Sequence, residues 1–245
     1  MTPAATWRPP TPPARHPTPG KERAFVVSFD VYGTLVDVRG GSRAAFAAIL
    51  REAAASHVDA LEFWEQWEAA NIRRYWLPYR PYREICRASL EETFRRFAVR
   101  GDPDLIQHYF DAFGAFTRFP DVDETLDRLQ GGRRLAIVSN IDDDLLAMTN
   151  LGRRFDIVCT AERARGYKPD GTLFRFLLAQ TRLDTSGLLH CGQSQHTDMV
   201  GAKPLGIRVA WINRRGLALA PGVPKPDYTL ADLRGVPRLL PEGLD

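Results

Sequence analysis

Residues 24–35 are AFVVSFDVYGTL, a short run of apolar β-formers that ends at Asp30 and continues into a Gly-Thr turn. An uninterrupted apolar run of this length is typical of a strand that is buried on both faces of a parallel sheet. Such sheets bind their ligands outside the carboxyl ends of the strands. Because Asp30 stands at that end, the sequence predicts a carboxylate that faces a ligand.

Four later segments repeat this pattern of an apolar run that ends in polar residues. They are residues 135–138 before Ser139-Asn140, residues 155–158, residues 188–191 before Gly192-Gln193-Ser194, and residues 208–212 before Asn213. Apolar residues at helical spacing separate the runs, as at Val122, Leu126 and Leu129. This alternation predicts an α/β fold with a doubly wound, Rossmann-like parallel sheet.

Residues 39–118 differ from the rest because they carry helical patterns and no convincing strand. Cys86, Leu90 and Phe94 follow helical spacing, and Asp102-Pro103 is a helix start signal. We therefore predict a helical cap domain at 39–118, inserted into a core domain formed by 23–38 and 119–245. Residues 1–22 are rich in proline and predict a disordered tail.

Composition excludes several classes of function. The net charge of +3 comes without a basic block, which argues against a nucleic-acid partner. No apolar run approaches transmembrane length, so no membrane association is expected. The three cysteines, Cys86, Cys159 and Cys191, are widely spaced and odd in number. They indicate reduced thiols in a cytoplasmic protein, not a disulfide framework or a metal site.

Four motifs, in this order along the chain, resemble those of the haloacid dehalogenase superfamily. They are Phe29-Asp30-Val31-Tyr32-Gly33-Thr34-Leu35, Ser139-Asn140, Tyr167-Lys168-Pro169-Asp170, and Gly192-Gln193-Ser194 followed by Asp198. A single Asp-x-x-Gly-Thr would be a weak signal, because Asp before Gly is a common turn former. Four ordered motifs over residues 24–215, with a helical insert after the first, are specific.

The resemblance implies a hydrolase in which Asp30 is a nucleophile that forms a covalent ester intermediate. Lys168 would keep Asp30 ionised by lowering its pKa, and Asp198 would hold Lys168 and orient the hydrolytic water. Thr34 and Ser139 would donate hydrogen bonds at the catalytic centre. The side chains expected around the substrate are Tyr32, Asn140, Gln193 and Gln195.

Two positions separate dehalogenases from phosphatases in this superfamily. Tyr32 stands where phosphatases carry the acid that protonates the leaving group, and Gln193 stands where they carry an acidic metal ligand. Both residues favour a 2-haloacid dehalogenase, which acts on a small carboxylate substrate without a required cofactor. One alternative is a phosphatase that uses Mg²⁺ near Asp30 and Asp198. A rival from another class is a non-catalytic ligand-binding protein on the same fold.

The match to the dehalogenase subgroup is incomplete. Its cap arginine corresponds to Glu65 here, its tyrosine after the lysine motif to Phe174, and its fourth-motif serine and asparagine to Gln193 and Gln195. Arg73 and Arg74 are the candidate replacements for the arginine, since they lie among aromatic residues of the cap. The helix around Trp64 and Trp67 is a candidate face for a homodimer.

Overall fold

Six parallel strands form one sheet in a computed structural model that describes residues 25–130 and 133–241. The strands are β1 (Phe25–Phe29), β2 (Arg133–Ser139), β3 (Ile157–Thr160), β4 (Leu188–Gly192), β5 (Arg208–Ile212) and β6 (Tyr228–Leu230). Their order is β3-β2-β1-β4-β5-β6. The chain therefore runs outward from β1 in one direction and later resumes on its other side. Asp30 follows the central strand β1 at this switch in direction, where α/β sheets bind ligands.

The helices fall into two groups. Those between β1 and β2 are α1 (Val38–Glu52), α2 (Ala60–Arg74), α3 (Tyr82–Arg96), α4 (Gln107–Asp111) and α5 (Val122–Leu129). Those after β2 are α6 (Asp143–Met148), α7 (Ala161–Ala164), α8 (Thr172–Thr181) and α9 (Val200–Ala202). Helices α1 to α4 form the predicted cap, and the others cover the sheet. Within the described residues, no helix combines the length and the apolar character needed to cross a membrane.

Three elements differ from the sequence-based prediction. Strand β3 begins at Ile157 instead of residue 155, because the Asp156 carboxylate accepts a hydrogen bond from the Leu135 backbone N–H at 2.7 Å. The helix that the start signal at Asp102-Pro103 predicts is broken into 3₁₀ and α turns, which fits the low helix propensity of Gly114. The edge strand β6 was not predicted.

The cap has an aromatic interior in which the ring of Trp67 lies 5.0 Å from that of Phe46 and 4.9 Å from that of Tyr109. Trp64 and Trp67 are only 3% and 1% exposed. Both indoles therefore pack inside the protomer. The two indoles therefore do not supply a homodimer face, and a homodimer through the rest of this helix stays a prediction.

Side chains of the core form hydrogen bonds with backbone groups of the cap. Asp142, which follows β2, accepts from the backbone N–H groups of Tyr82 at 2.8 Å and Arg83 at 3.1 Å. These groups open α3, whose N-cap residue Pro81 supplies no side-chain acceptor. The Tyr167 hydroxyl donates to the Arg80 carbonyl at 2.7 Å. The core thus supplies the N-terminal cap of a cap-domain helix.

Candidate active site

Asp30 is held at the end of β1 by contacts to both of its carboxylate oxygens. Its Oδ2 accepts from the Thr34 hydroxyl at 2.8 Å, and its Oδ1 accepts from the Lys168 ammonium at 2.9 Å. The Gly33 backbone has φ +89°, which a glycine adopts readily and which turns the chain so that Thr34 reaches back. Asp30 remains 8% exposed and lines a cavity beneath the cap.

Lys168 joins Asp30 to a second buried carboxylate. Its ammonium donates to Asp198 Oδ1 at 2.6 Å and to the Val138 carbonyl at 2.9 Å, in addition to Asp30. Its three donors are therefore all used. Asp198 also accepts from His190 Nε2 at 3.1 Å. Asp198 is fully buried and does not line the cavity, so its contacts hold Lys168 in place, and its orientation of a hydrolytic water stays a prediction.

Burial and charge set the protonation of this group. Burial raises the pKa of Asp30; the Lys168 charge lowers that pKa, and the Asp198 charge raises it further. Burial also acts to raise the pKa of Asp198, but Lys168 and His190 lower it to about 2. Burial acts to lower the pKa of Lys168, but the two carboxylates outweigh it and raise that pKa. Lys168 thus lowers the pKa of Asp30, as the sequence predicted, while burial and the Asp198 charge raise it.

The Asn140 side chain holds the backbone of Lys168 in place. Its amide nitrogen donates to the Lys168 carbonyl at 2.9 Å, and its amide oxygen accepts from the Lys168 N–H at 2.8 Å. Ser139 lines the cavity beside it, and its buried hydroxyl has no hydrogen-bond partner among the described residues. That hydroxyl is available to a bound substrate.

Tyr32 cannot serve as the acid that its position suggests in phosphatases. Its hydroxyl lies 2.9 Å from the Thr149 hydroxyl, which itself donates to the Leu145 carbonyl at 3.1 Å. The proton of Thr149 is therefore committed, and Tyr32 is the donor in the pair. Burial raises the pKa of Tyr32, which further disfavours proton release.

The two glutamines expected at the substrate lie outside the catalytic cavity. Gln195 donates to the Ala218 carbonyl at 2.8 Å and accepts from the Ala220 N–H at 2.6 Å, so it anchors that loop. The Gln193 N–H donates to Thr34 Oγ1 at 3.0 Å, while its side chain packs beside Gly33. Gln193 supports the turn from Asp30 to Thr34, and neither glutamine contacts the cavity that contains Asp30.

Arg73 and Arg74 are also outside this cavity. Arg73 contacts Glu92 at 2.5 Å, and Arg74 contacts the same carboxylate at 2.7 Å. The two arginines do not reach the cavity because both lie on the face of α2 that packs on α3. The structure instead places Glu68 in the catalytic cavity. Sequence reasoning missed Glu68, although it stands four residues after Trp64 on the apolar face of α2.

The catalytic cavity measures about 80 Å³. Its walls are mainly aromatic, with Tyr32, Trp64, Trp67, Tyr75, Tyr82 and Tyr109 from the cap side and the nucleophile turn. Asp30, Ser139 and Lys168 form the polar floor. A cavity of this size and lining suits a small molecule with one polar end.

The donor set does not fit Mg²⁺. This ion requires octahedral oxygen ligands at about 2.0–2.1 Å. Both oxygens of Asp198 already accept hydrogen bonds, from Lys168, His190 and the Ser194 N–H. The position of the acidic ligand is occupied by Gln193, whose side chain does not reach this cavity. The described residues contain no cluster of three or more His, Cys, Asp or Glu side chains arranged for a metal.

Comparison with known proteins places this arrangement in one family. A family model described as "Haloacid dehalogenase-like hydrolase" matches residues 27–212. The (S)-2-haloacid dehalogenase of Pseudomonas sp. (strain YL) is 28% identical over 221 residues, which cover 87% of this chain and 93% of that protein. The phosphoserine phosphatase of Thermus thermophilus is 28% identical over 162 residues, which cover 64% of each chain.

A solved structure shows the same fold. It is the L-2-haloacid dehalogenase from Xanthobacter autotrophicus with chloropropionic acid covalently bound. The two chains superpose with a TM-score of 0.73 at 22% identity, over 88% of this chain and 98% of that one. The predicted doubly wound core with a helical cap is therefore confirmed.

Proposed function

Because the chain belongs to the haloacid dehalogenase-like hydrolase family, we propose that it cleaves the carbon–halogen bond of a small 2-haloacid. Asp30 is the nucleophile in this proposal, and residues 39–118 are the cap that covers it. One observation carries the proposal: the Asp30 carboxylate is bound to Lys168 and faces an aromatic cavity in which Tyr32 has its proton committed to Thr149. The site thus offers a nucleophile without an acid at the position of Tyr32.

The first step is a displacement at carbon. A carboxylate oxygen of Asp30 bonds to the carbon next to the substrate carboxylate, and the bond to the halogen breaks with its electron pair. The halide leaves without needing a proton. The Ser139 hydroxyl, which lacks a partner among the described residues, donates to the substrate carboxylate. Closure of the cap excludes water during this step.

The second step releases the product. Water attacks the carbonyl carbon of the Asp30 ester, the bond from that carbon to the product oxygen breaks, and a 2-hydroxy acid leaves. The water supplies the oxygen that stays on Asp30, and its protons go to the product hydroxyl and to solvent. Lys168 remains beside the ester and stabilises the negative charge that develops on the oxygen.

Isotope labelling tests the nucleophile directly. A single turnover of 2-chloropropionate in H₂¹⁸O places one ¹⁸O atom in the peptide that contains Asp30. An ¹⁸O atom found only in the 2-hydroxy acid would refute the ester. Asp30→Asn should abolish halide release, with deamidation checked by mass, whereas the matched control Asp170→Asn changes an exposed carboxylate of the lysine motif and should retain it.

The other candidate activities are outcomes of the same assay. Phosphate release from a small phosphoester that depends on Mg²⁺, with no halide release, would replace the proposal by a phosphatase. Binding of 2-chloropropionate without turnover would favour a ligand-binding protein. We further propose that the reaction needs no metal. The free, buried thiols of Cys86, Cys159 and Cys191 support a cytoplasmic location.

A further inference from the structure

A second cavity of about 210 Å³ adjoins the catalytic cavity. Val38, Trp64 and Glu68 line both spaces, so they form the wall between them. Beyond this wall the second cavity is lined by the arginines Arg39, Arg214 and Arg215. It is larger than the catalytic cavity, and we call it the side cavity.

The three arginines differ in how far their charges are already paired. Arg214 is bound to Asp121 through two contacts of 2.9 Å, so its charge is matched inside the core. Arg39 contacts Glu65 at 2.9 Å, whereas Arg215 approaches the same carboxylate only to 4.0 Å and is 53% exposed on its side chain. Two guanidinium groups thus share Glu65. The side cavity is also lined by Asp37, whose carboxylate caps α1 by accepting from the Gly40 N–H at 2.9 Å.

The wall between the cavities carries one ionisable side chain, that of Glu68. Burial raises the pKa of Glu68 to about 7, an effect that the charges of Arg215 and Arg39 oppose and those of Glu65 and Asp30 reinforce. Glu68 is therefore largely uncharged below neutral pH and does not repel an anion there. The indole Nε1 of Trp64 is buried without a hydrogen-bond partner among the described residues, so it offers a donor at the same wall.

The size of the two spaces separates short from long substrates. The catalytic cavity of about 80 Å³ has room for a molecule of few heavy atoms, because one water needs roughly 10–15 Å³ on this measure. A longer substrate that reacts at Asp30 would have to extend past Glu68, and the side cavity is the space that lies there. The arginines there would bind an anionic far end, since guanidinium forms paired hydrogen bonds with carboxylate and phosphate.

We propose that the side cavity is a second anion subsite, and that the substrate is a 2-haloacid with another anionic group at its far end, held by Arg215 and Arg39. This proposal rests on the proposed function for the chemistry at Asp30. The geometry of the side cavity leaves a carboxylate or a phosphate as the far group, since both accept from guanidinium in the same way.

Binding of product analogues by calorimetry tests the subsite without turnover. The ligands are lactate, 2-hydroxyglutarate with a far carboxylate, and 3-phosphoglycerate with a far phosphate, each measured at pH 6.5. At least one longer ligand should bind tighter than lactate by roughly tenfold or more, because hydrogen bonds between charged groups are stronger than neutral ones. The tighter of the two identifies the far group.

Arg215→Gln should remove most of this advantage and leave the lactate constant within about threefold. Arg73→Gln is the matched control: its side chain is 55% exposed, also lies on the protein surface, and points away from both cavities. It should retain the full advantage. Equal binding of all three ligands, or an advantage that Arg215→Gln does not reduce, overturns the subsite.

The binding test of the subsite and the halide assay of the proposed function can fail separately. A preference for the longer ligands that depends on Arg215, together with no halide release from any haloacid, would support the subsite and refute the dehalogenase. Halide release from 2-chloropropionate without that preference would support the dehalogenase and refute the subsite.

Discussion

Replacing Lys168 with methionine removes the charge beside the nucleophile and keeps a side chain of similar length. The Lys168–Asp30 contact is 2.9 Å, and two unit charges at that distance attract by about 6 kcal/mol for an effective dielectric constant near 20. Each 1.36 kcal/mol corresponds to a factor of ten in rate, so the loss has an upper bound of about ten-thousandfold. We expect Lys168→Met to lower kcat for halide release by roughly a hundredfold to ten-thousandfold.

The dependence on pH separates this cause from simple misfolding. Without Lys168, burial and the Asp198 charge both raise the pKa of Asp30, and the hydrogen bond from Thr34 is left to oppose them. A carboxyl with a raised pKa is ionised only at higher pH, so the variant should regain activity as the pH rises. The assay is halide release between pH 5 and 9.5, with circular dichroism as the check on folding. A folded variant with more than a third of wild-type kcat and a flat pH profile would refute the reasoning.

Three further predictions test neighbouring groups. Tyr32→Phe should keep kcat within about threefold, because the hydroxyl only donates to Thr149. The variant should lose about 1 kcal/mol of the free energy of unfolding, measured in urea. A hundredfold loss of kcat would instead identify Tyr32 as an acid. Asp142→Ala should lower the free energy of unfolding by about 1 kcal/mol, as for a lost helix cap, and an unchanged urea midpoint would contradict this. Glu68 has its pKa raised to about 7, so its charge appears as pH rises through neutrality. The KM for an anionic substrate should therefore rise above pH 7, and Glu68→Gln should abolish that rise; identical KM profiles would count against it.

The sheet and the position of Asp30 at its edge were predictable because both depend on local pattern. An apolar run that ends at Asp30 is buried by its own composition, and the parallel arrangement places Ser139 and Lys168 at the same edge of the sheet. The edge strand β6 was not predictable in this way, since its three residues are partly exposed and have no apolar pattern. A strand of that kind forms because β5 offers it a partner.

The lining of the cavity was harder to predict, because it depends on how α2 is rotated against the core. The alternation of arginine and aromatic residues in 71–83 suggested a pocket for an anion, but Glu92 on α3 satisfies both Arg73 and Arg74. The same rotation of α2 turns Glu68 toward the cavity that contains Asp30. Glu92 lies on another helix, so the sequence of residues 71–83 does not show that it pairs with these arginines.

Hydrogen bonds from the core to the start of α3 also bear on how often the cap opens. An open cap leaves the N–H groups of Tyr82 and Arg83 without Asp142, and the Arg80 carbonyl without Tyr167. Three such bonds, at about 1 kcal/mol each, favour the closed form by roughly a hundredfold. On these three bonds alone the open form is held to about one part in a hundred, and we expect product escape to be the slow step of the cycle. Asp142→Ala would shorten that wait, so its steady-state rate should exceed the wild-type rate while its single-turnover rate stays the same.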